Sequence, residues 1–181
     1  AGLLLCCALL SPAAAVGEGF TIRSAELDRV GADYVLNADV RYDFSAAAVE
    51  ALENSVPLTL VLSFRLVRVR PYWWNETVVE HRHQLQIRYQ PLGQLFQLNF
   101  DDRENSQSYT TIHSLLDAMG TIRRLPVVAA DKLLPGIRYR AELSVRLDIE
   151  TLPLPLRPTA YLSPSWYLSS PTYRWPFAKS D

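Results

Sequence analysis

The sequence predicts an all-β protein: an antiparallel immunoglobulin-like sandwich of about seven strands, with two short connecting helices and a C-terminal strap rich in proline and aromatic residues. The first observation behind this is alternation with a period of two. From Tyr139 to Ile149, residues Tyr139, Ala141, Leu143, Val145, Leu147 and Ile149 share one face, while Arg138, Arg140, Glu142, Ser144, Arg146 and Asp148 share the other. The second is that turn signals separate successive runs of this kind. The third is a physical requirement: a strand with one apolar face must bury that face, and a second sheet is the economical partner. A small barrel is the alternative architecture that fits the same pattern.

Taken in chain order, Phe20 to Asp28 pairs with Tyr34 to Phe44 across the turn Arg29 to Asp33, where Gly31 supplies the positive φ. Tyr34, Leu36, Ala38, Val40, Tyr42 and Phe44 point inward, and Asn37, Asp39, Arg41 and Asp43 outward. Ser45 is placed to cap a helix over Ala46 to Asn54, and Pro57 stops its continuation. Leu58 to Arg70 and Val78 to Tyr89 form a second, longer hairpin, joined by the aromatic turn Pro71 to Glu76. In the first of these strands the apolar face Leu60, Leu62, Phe64, Leu66 gives way to Arg68 and Arg70 in the same register, a conflict that a β-bulge resolves.

Shorter strands are expected at Leu95 to Phe100 and Leu125 to Ala129. Between them a short helix over Thr111 to Met119 has Thr110 as its cap and Gly120 just past its end. From Leu152 onward Pro153, Pro155, Pro158, Pro164, Pro171 and Pro176 are interleaved with tyrosine, tryptophan and phenylalanine. Proline at this density resists helix and central strand, so the strap is expected to be extended. Its aromatics are too numerous for a disordered linker, and it is read as packed on the sandwich.

The 181 residues divide into a leader over 1–15, the sandwich over 16–151 and the strap over 152–181. The apolar run Gly2 to Leu10, Pro12 and the small residues Ala13 to Ala15 have the form of a secretory signal peptide whose basic start is missing. The expectation is an exported, periplasmic chain with no transmembrane span after leader cleavage. A retained anchor, with peripheral membrane association, is the alternative. Both cysteines, Cys6 and Cys7, fall in the leader, so the mature domain is expected to carry no disulfide. With Leu5 ahead of Cys6 and more apolar sequence behind it, acylation of that cysteine is disfavoured. A formal net charge of −1 gives no global field to recruit nucleic acid.

His81 and His83 are weak metal candidates, because residues two apart on a strand share a face, here with Val79, Leu85, Ile87 and Tyr89. A site needs further ligands, for which Asp101 or Asp102 would serve, and hydrogen-bonded or rim histidines are the simpler reading. The acidic loop Asp101 to Asn105 has Arg103 and Ser106 where a calcium loop wants a ligand and a glycine, so it reads as a solvated turn. No nucleophile elbow and no glycine-rich phosphate loop is present, so the chain is expected not to be an enzyme and to use no cofactor. The strongest recognition candidate is Tyr72, Trp73 and Trp74 at the tip of the long hairpin. Arg65, Arg68, Arg70, Arg82 and Arg88 lie on its two strands. Against this stands a structural reading in which the tryptophans fold back to plug the sandwich while the arginines pair with Glu76 and Glu80.

The hairpin phrase Gly31 to Leu36, the phrase Asn54 to Leu58, the Tyr72 to Trp74 turn and the run Leu152 to Pro158 together resemble the bacterial family catalogued as domain of unknown function 4390. The resemblance spans nearly the whole mature chain. It implies a proteobacterial envelope protein with a cleaved leader and no assigned activity, and it brings forward a membrane sensor kinase ectodomain as a partner. The reading is therefore a non-enzymatic interaction module of the envelope, with Tyr72, Trp73, Trp74, Arg68 and Arg70 as binding residues. The alternatives are a periplasmic carrier or chaperone for a lipid or apolar segment, with a cavity lined by residues such as Leu85, Ile87 and Tyr139, and a metal-dependent hydrolase built on His81 and His83.

Overall fold

Alternating sequence resolves into two antiparallel sheets in the computed structural model, which describes residues 19–101 and 106–179. The elements are β1 (Gly19–Val30), β2 (Asp33–Asp43), α1 (Ala46–Glu53), β3 (Leu58–Arg68), β4 (Glu76–Gln90), β5 (Leu95–Phe100), β6 (Gln107–Tyr109), α2 (Ile112–Gly120), β7 (Thr121–Ala129), β8 (Arg138–Leu147), α3 (Arg157–Leu162) and β9 (Tyr173–Ala178). One sheet has three strands in the order β1-β2-β7, and the other has six in the order β6-β5-β4-β3-β8-β9. The expected leader and residues 102–105 of the acidic loop lie outside the described residues.

The alternation of β2 and β8 does what a period of two requires. Tyr34, Leu36, Ala38, Val40 and Tyr42 are buried from one sheet and Tyr139, Ala141, Leu143, Val145 and Leu147 from the other. Gly31 has φ 62° at the β1–β2 turn. Ser45 caps α1, its hydroxyl accepting from Ala48 N. The bulge falls on β4 and not on β3: pairing steps from Leu66 opposite Val79 to Val67 opposite Thr77, which leaves β3 in straight register with β8 as far as Arg68 opposite Tyr139. Arg68 escapes burial because its strand ends there.

Several expectations need correction. Nine strands are present among the described residues, two more than expected. β6 is only three residues long, too short to show a period, and β9 lies inside the proline-rich strap. β9 alternates half-buried Tyr173, Trp175 and Phe177 with exposed Arg174, Pro176 and Ala178, and as the last strand of its sheet it can turn the side of Pro176 that lacks an N–H away from its partner. The strap is not extended throughout either. Pro158 sits in the first turn of α3 and Pro164 opens a further helical turn, positions where a missing N–H costs nothing. The cap of α2 is Thr111, one residue later than Thr110, and Gly120 closes the helix instead of following it.

The strap docks through its own apolar residues. Leu152, Ala160, Trp166 and Leu168 are buried, Ser45 Oγ donates to Ser165 O at 2.7 Å, and Leu147 N donates to Leu168 O at 2.8 Å. α1, the strap as far as Ser169 and the start of β1 thus gather at one end of the sandwich, while β9 runs along β8 toward the other end, where the β3–β4 turn lies.

At the junction of α2 and β2 a Cβ on Gly120 would stand 2.4 Å from the Val40 carbonyl oxygen, so only glycine lets the helix end meet the strand backbone. Gly120→Ala is expected to lower stability by about 1–3 kcal/mol through this overpacking. The measurement is the urea unfolding midpoint, and an unchanged midpoint would show that the contact is slack.

Candidate recognition site

The β3–β4 turn is fixed at its base and free at its tip. Val69 N donates to Arg138 O at 3.0 Å, Arg70 N donates to the Asn75 side-chain oxygen at 3.3 Å, and the Arg70 guanidinium pairs with Glu76. Beyond this base Tyr72, Trp73 and Trp74 are 92, 81 and 95 % exposed. They do not fold back onto the sandwich. Arg70 and Arg82 do pair with Glu76 and Glu80, so that half of the structural reading holds while its other half fails.

Beside the tip lies a groove of about 660 Å³. It is lined by Val69, Pro71 and Pro176 and by Tyr139, Trp175 and Phe177, whose rings turn inward toward Phe64 and Tyr34, with Arg138, Arg140 and Arg174 at its rim. Three chain segments build it: the start of the β3–β4 turn, the start of β8, and β9 from Arg174 onward. Because β9 hid inside the strap, the sequence showed the tip but not the groove.

The electrostatics rest on a row of charge across four strands. Glu80 stands opposite Arg65, Arg65 opposite Glu142, and Glu142 opposite Arg174, from β4 through β3 and β8 to β9. Glu142, which alternation places on the solvent face, is only 4 % exposed. It accepts from Arg65 at 2.6 Å, Arg140 at 3.2 Å and Arg174 at 3.3 Å, and the three guanidiniums close over it. Burial alone pushes its carboxyl up, but the hydrogen bond and charge of Arg65, joined by the charges of Arg140 and Arg174, outweigh this and hold it below the ordinary value of 4.5. One carboxylate among three cations leaves this part of the face positive. Nearer the tip, Arg68 and Arg138 have no ion-pair partner among the described residues.

The two histidines stay on one face, their rings stacked with centroids 6.2 Å apart, but their surroundings differ. His83 Nδ1 lies 2.5 Å from Asp101 Oδ2 and its ring stacks on Phe100, while Asp101 Oδ1 accepts from Gln84 N at 2.8 Å. His81 is exposed and lines a cleft of about 200 Å³ with Asp33 and residues 126–129 at the margin of the smaller sheet. Among the described residues no group of three potential ligands gathers to hold a metal. The residues expected to line a carrier cavity do not converge. Ile87 and Tyr139 are buried in the core, the Tyr139 ring against Phe177, and Leu85 reaches a cleft of about 520 Å³ between β4–β5 and β7.

The model of one protein family, described as a Domain of unknown function (DUF4390), matches residues 17–176. No curated protein and no solved structure matches the chain.

A carboxyl held lower in the folded state than in the unfolded chain adds stability above the unfolded value, and that stability disappears as pH falls through the folded one. The wild type is therefore expected to lose stability below about pH 4.5 more steeply than Glu142→Gln. At neutral pH the substitution should cost about 2 kcal/mol, a hydrogen bond to charge lost while the half-exposed arginines turn to water. Chemical unfolding of both proteins across the acid range checks this, and parallel pH profiles would contradict it.

Proposed function

This chain belongs to the DUF4390 family, whose description carries no activity, and we propose that it works as a non-enzymatic interaction module of the bacterial envelope. The observation that carries this reading is the tip: three consecutive large aromatics, each more than four-fifths exposed, continuous with an apolar groove rimmed by arginine. Tryptophan, tyrosine and arginine are the residue types in which binding energy concentrates, because they bring large area and directional donors at low entropic cost. Charge complementarity selects the partner's chemistry. A segment carrying carboxylates to meet Arg138, Arg140 and Arg174, and an apolar side chain to enter the groove, satisfies both parts of the surface.

The apolar run Gly2 to Leu10 supports an envelope location, with an envelope or membrane protein as partner. A membrane sensor kinase ectodomain is the partner that the family resemblance brings forward. Among the described residues no helix is long and apolar enough to cross a membrane.

A second reading, a carrier for a lipid or apolar segment, is favoured by the cleft beside β7, where Leu98, Met119, Ile122 and Leu125 join Leu85. Native mass spectrometry of protein purified gently from its own envelope separates the two, since a carrier retains its lipid.

The double substitution Trp73→Ala/Trp74→Ala is expected to weaken partner binding by at least about 2 kcal/mol, a factor of roughly 30, without disturbing the fold. The check is quantitative capture of envelope proteins by wild type and variant, alongside their unfolding midpoints. Equal capture by a folded variant would remove the tip from the recognition surface.

A further inference from the structure

At the end of the sandwich away from the tip, roughly 34 Å along the 11 residues of β3 at about 3.4 Å per residue, the strap presents a second apolar surface. Leu154 is 72 % and Leu162 86 % exposed, and Tyr161, next to Leu162 in the chain, and Tyr167 are exposed as well. Tyr167 Oη donates to Tyr161 O at 2.6 Å, which ties the two tyrosines into one patch. The residues that dock the strap, Leu152, Ala160, Trp166 and Leu168, are spent on its inner side, so the outer side is apolar without a packing role. From Leu152 to Pro164 the sole charged residue is Arg157, whose Nε donates to Leu152 O at 2.8 Å. An exposed run of leucine, tyrosine and proline of this kind marks a surface that is covered in use.

The rest of the chain points to what covers it. Phe20 N donates to Ser169 O at 3.3 Å, and Gly19 lies against the same carbonyl, two residues from Tyr167. In the reading that keeps the apolar run Gly2 to Leu10 as an anchor, on which this inference rests, that segment joins the folded body at the end that carries the patch. We infer that this end is the membrane-facing surface of the protein, on which Leu154 and Leu162 enter the lipid interface and Tyr161 and Tyr167 sit at headgroup level. Leucine inserts, and tyrosine prefers the boundary where one end of the ring is apolar and the other wet. Exposed Glu50, Glu53 and Glu150 stand at the same end, so attachment rests on apolar insertion and not on attraction to anionic lipid. The arrangement leaves the Tyr72 to Trp74 tip directed away from the bilayer. It involves different residues from the recognition site and stands or falls separately from it.

The test is hydrogen exchange on the full chain with and without vesicles of phosphatidylcholine, a zwitterionic lipid, at low and high salt. The expected result is slowed exchange over residues 153–168, insensitive to salt, with residues 71–75 unchanged. In Leu154→Ser/Leu162→Ser, whose altered side chains are already exposed and whose unfolding midpoint should not move, this vesicle-induced protection should fall about tenfold or more. Absence of strap protection in the wild type, protection of residues 71–75 in its place, or full strap protection in the double variant would each overturn the inference.

Discussion

A sheet of three strands cannot cover a sheet of six, and most of this structure follows from that mismatch. At about 4.8 Å between neighbouring strands, β1-β2-β7 spans roughly half the width of the sheet it faces. The uncovered inner surface must be buried by other means. α2 packs against β2, β5, β6 and β7, which is why it closes on a glycine pressed to the β2 backbone. At the β9 side Phe177 meets Tyr34 edge to face with ring centroids 5.0 Å apart, a strand of the strap completing what the smaller sheet leaves open. Where the cover runs out, open features appear: the cleft beside β7 and the exposed His81.

The outer face of the larger sheet solves a related problem with charged side chains. Val67, opposite Arg140, is nearly buried on a face that no second layer covers. Long arginine stems lie over such residues while their guanidiniums remain in water. Glu142 holds those stems in place from beneath, with β3 and β9 each contributing a direct cross-strand arginine. A chain with a net charge of −1 thus concentrates positive charge around one groove, a local asymmetry that its composition hides.

Much of this was legible in the residues themselves. The faces of β2 and β8, the bounds of β5, the cap at Ser45 and the turn at Gly31 all follow from local pattern, because period, capping and positive φ are properties of neighbouring residues. What was not legible depends on register between distant strands. Glu142 reads as solvent-facing in its own strand, and only its pairing with Arg65 on one side and Arg174 on the other buries it. β9 was obscured by Pro176, whose tolerance depends on the strand lying at a sheet edge. Whether Trp73 and Trp74 point to solvent or plug the sandwich is likewise a tertiary question, decided by a turn whose base is tied down at Val69 and Arg70 while its tip finds nothing to pack on.

The central claim is that the tip and its groove form the working surface of this module. The most direct measurement is photocrosslinking in living cells, with a crosslinking amino acid placed in turn at Trp74, at Arg138 beside the groove, and at Arg29 on the far strand β1. The account predicts adducts to the same envelope protein from positions 74 and 138 and none from position 29. Adducts from position 29 alone, or to unrelated proteins from every position, would contradict it.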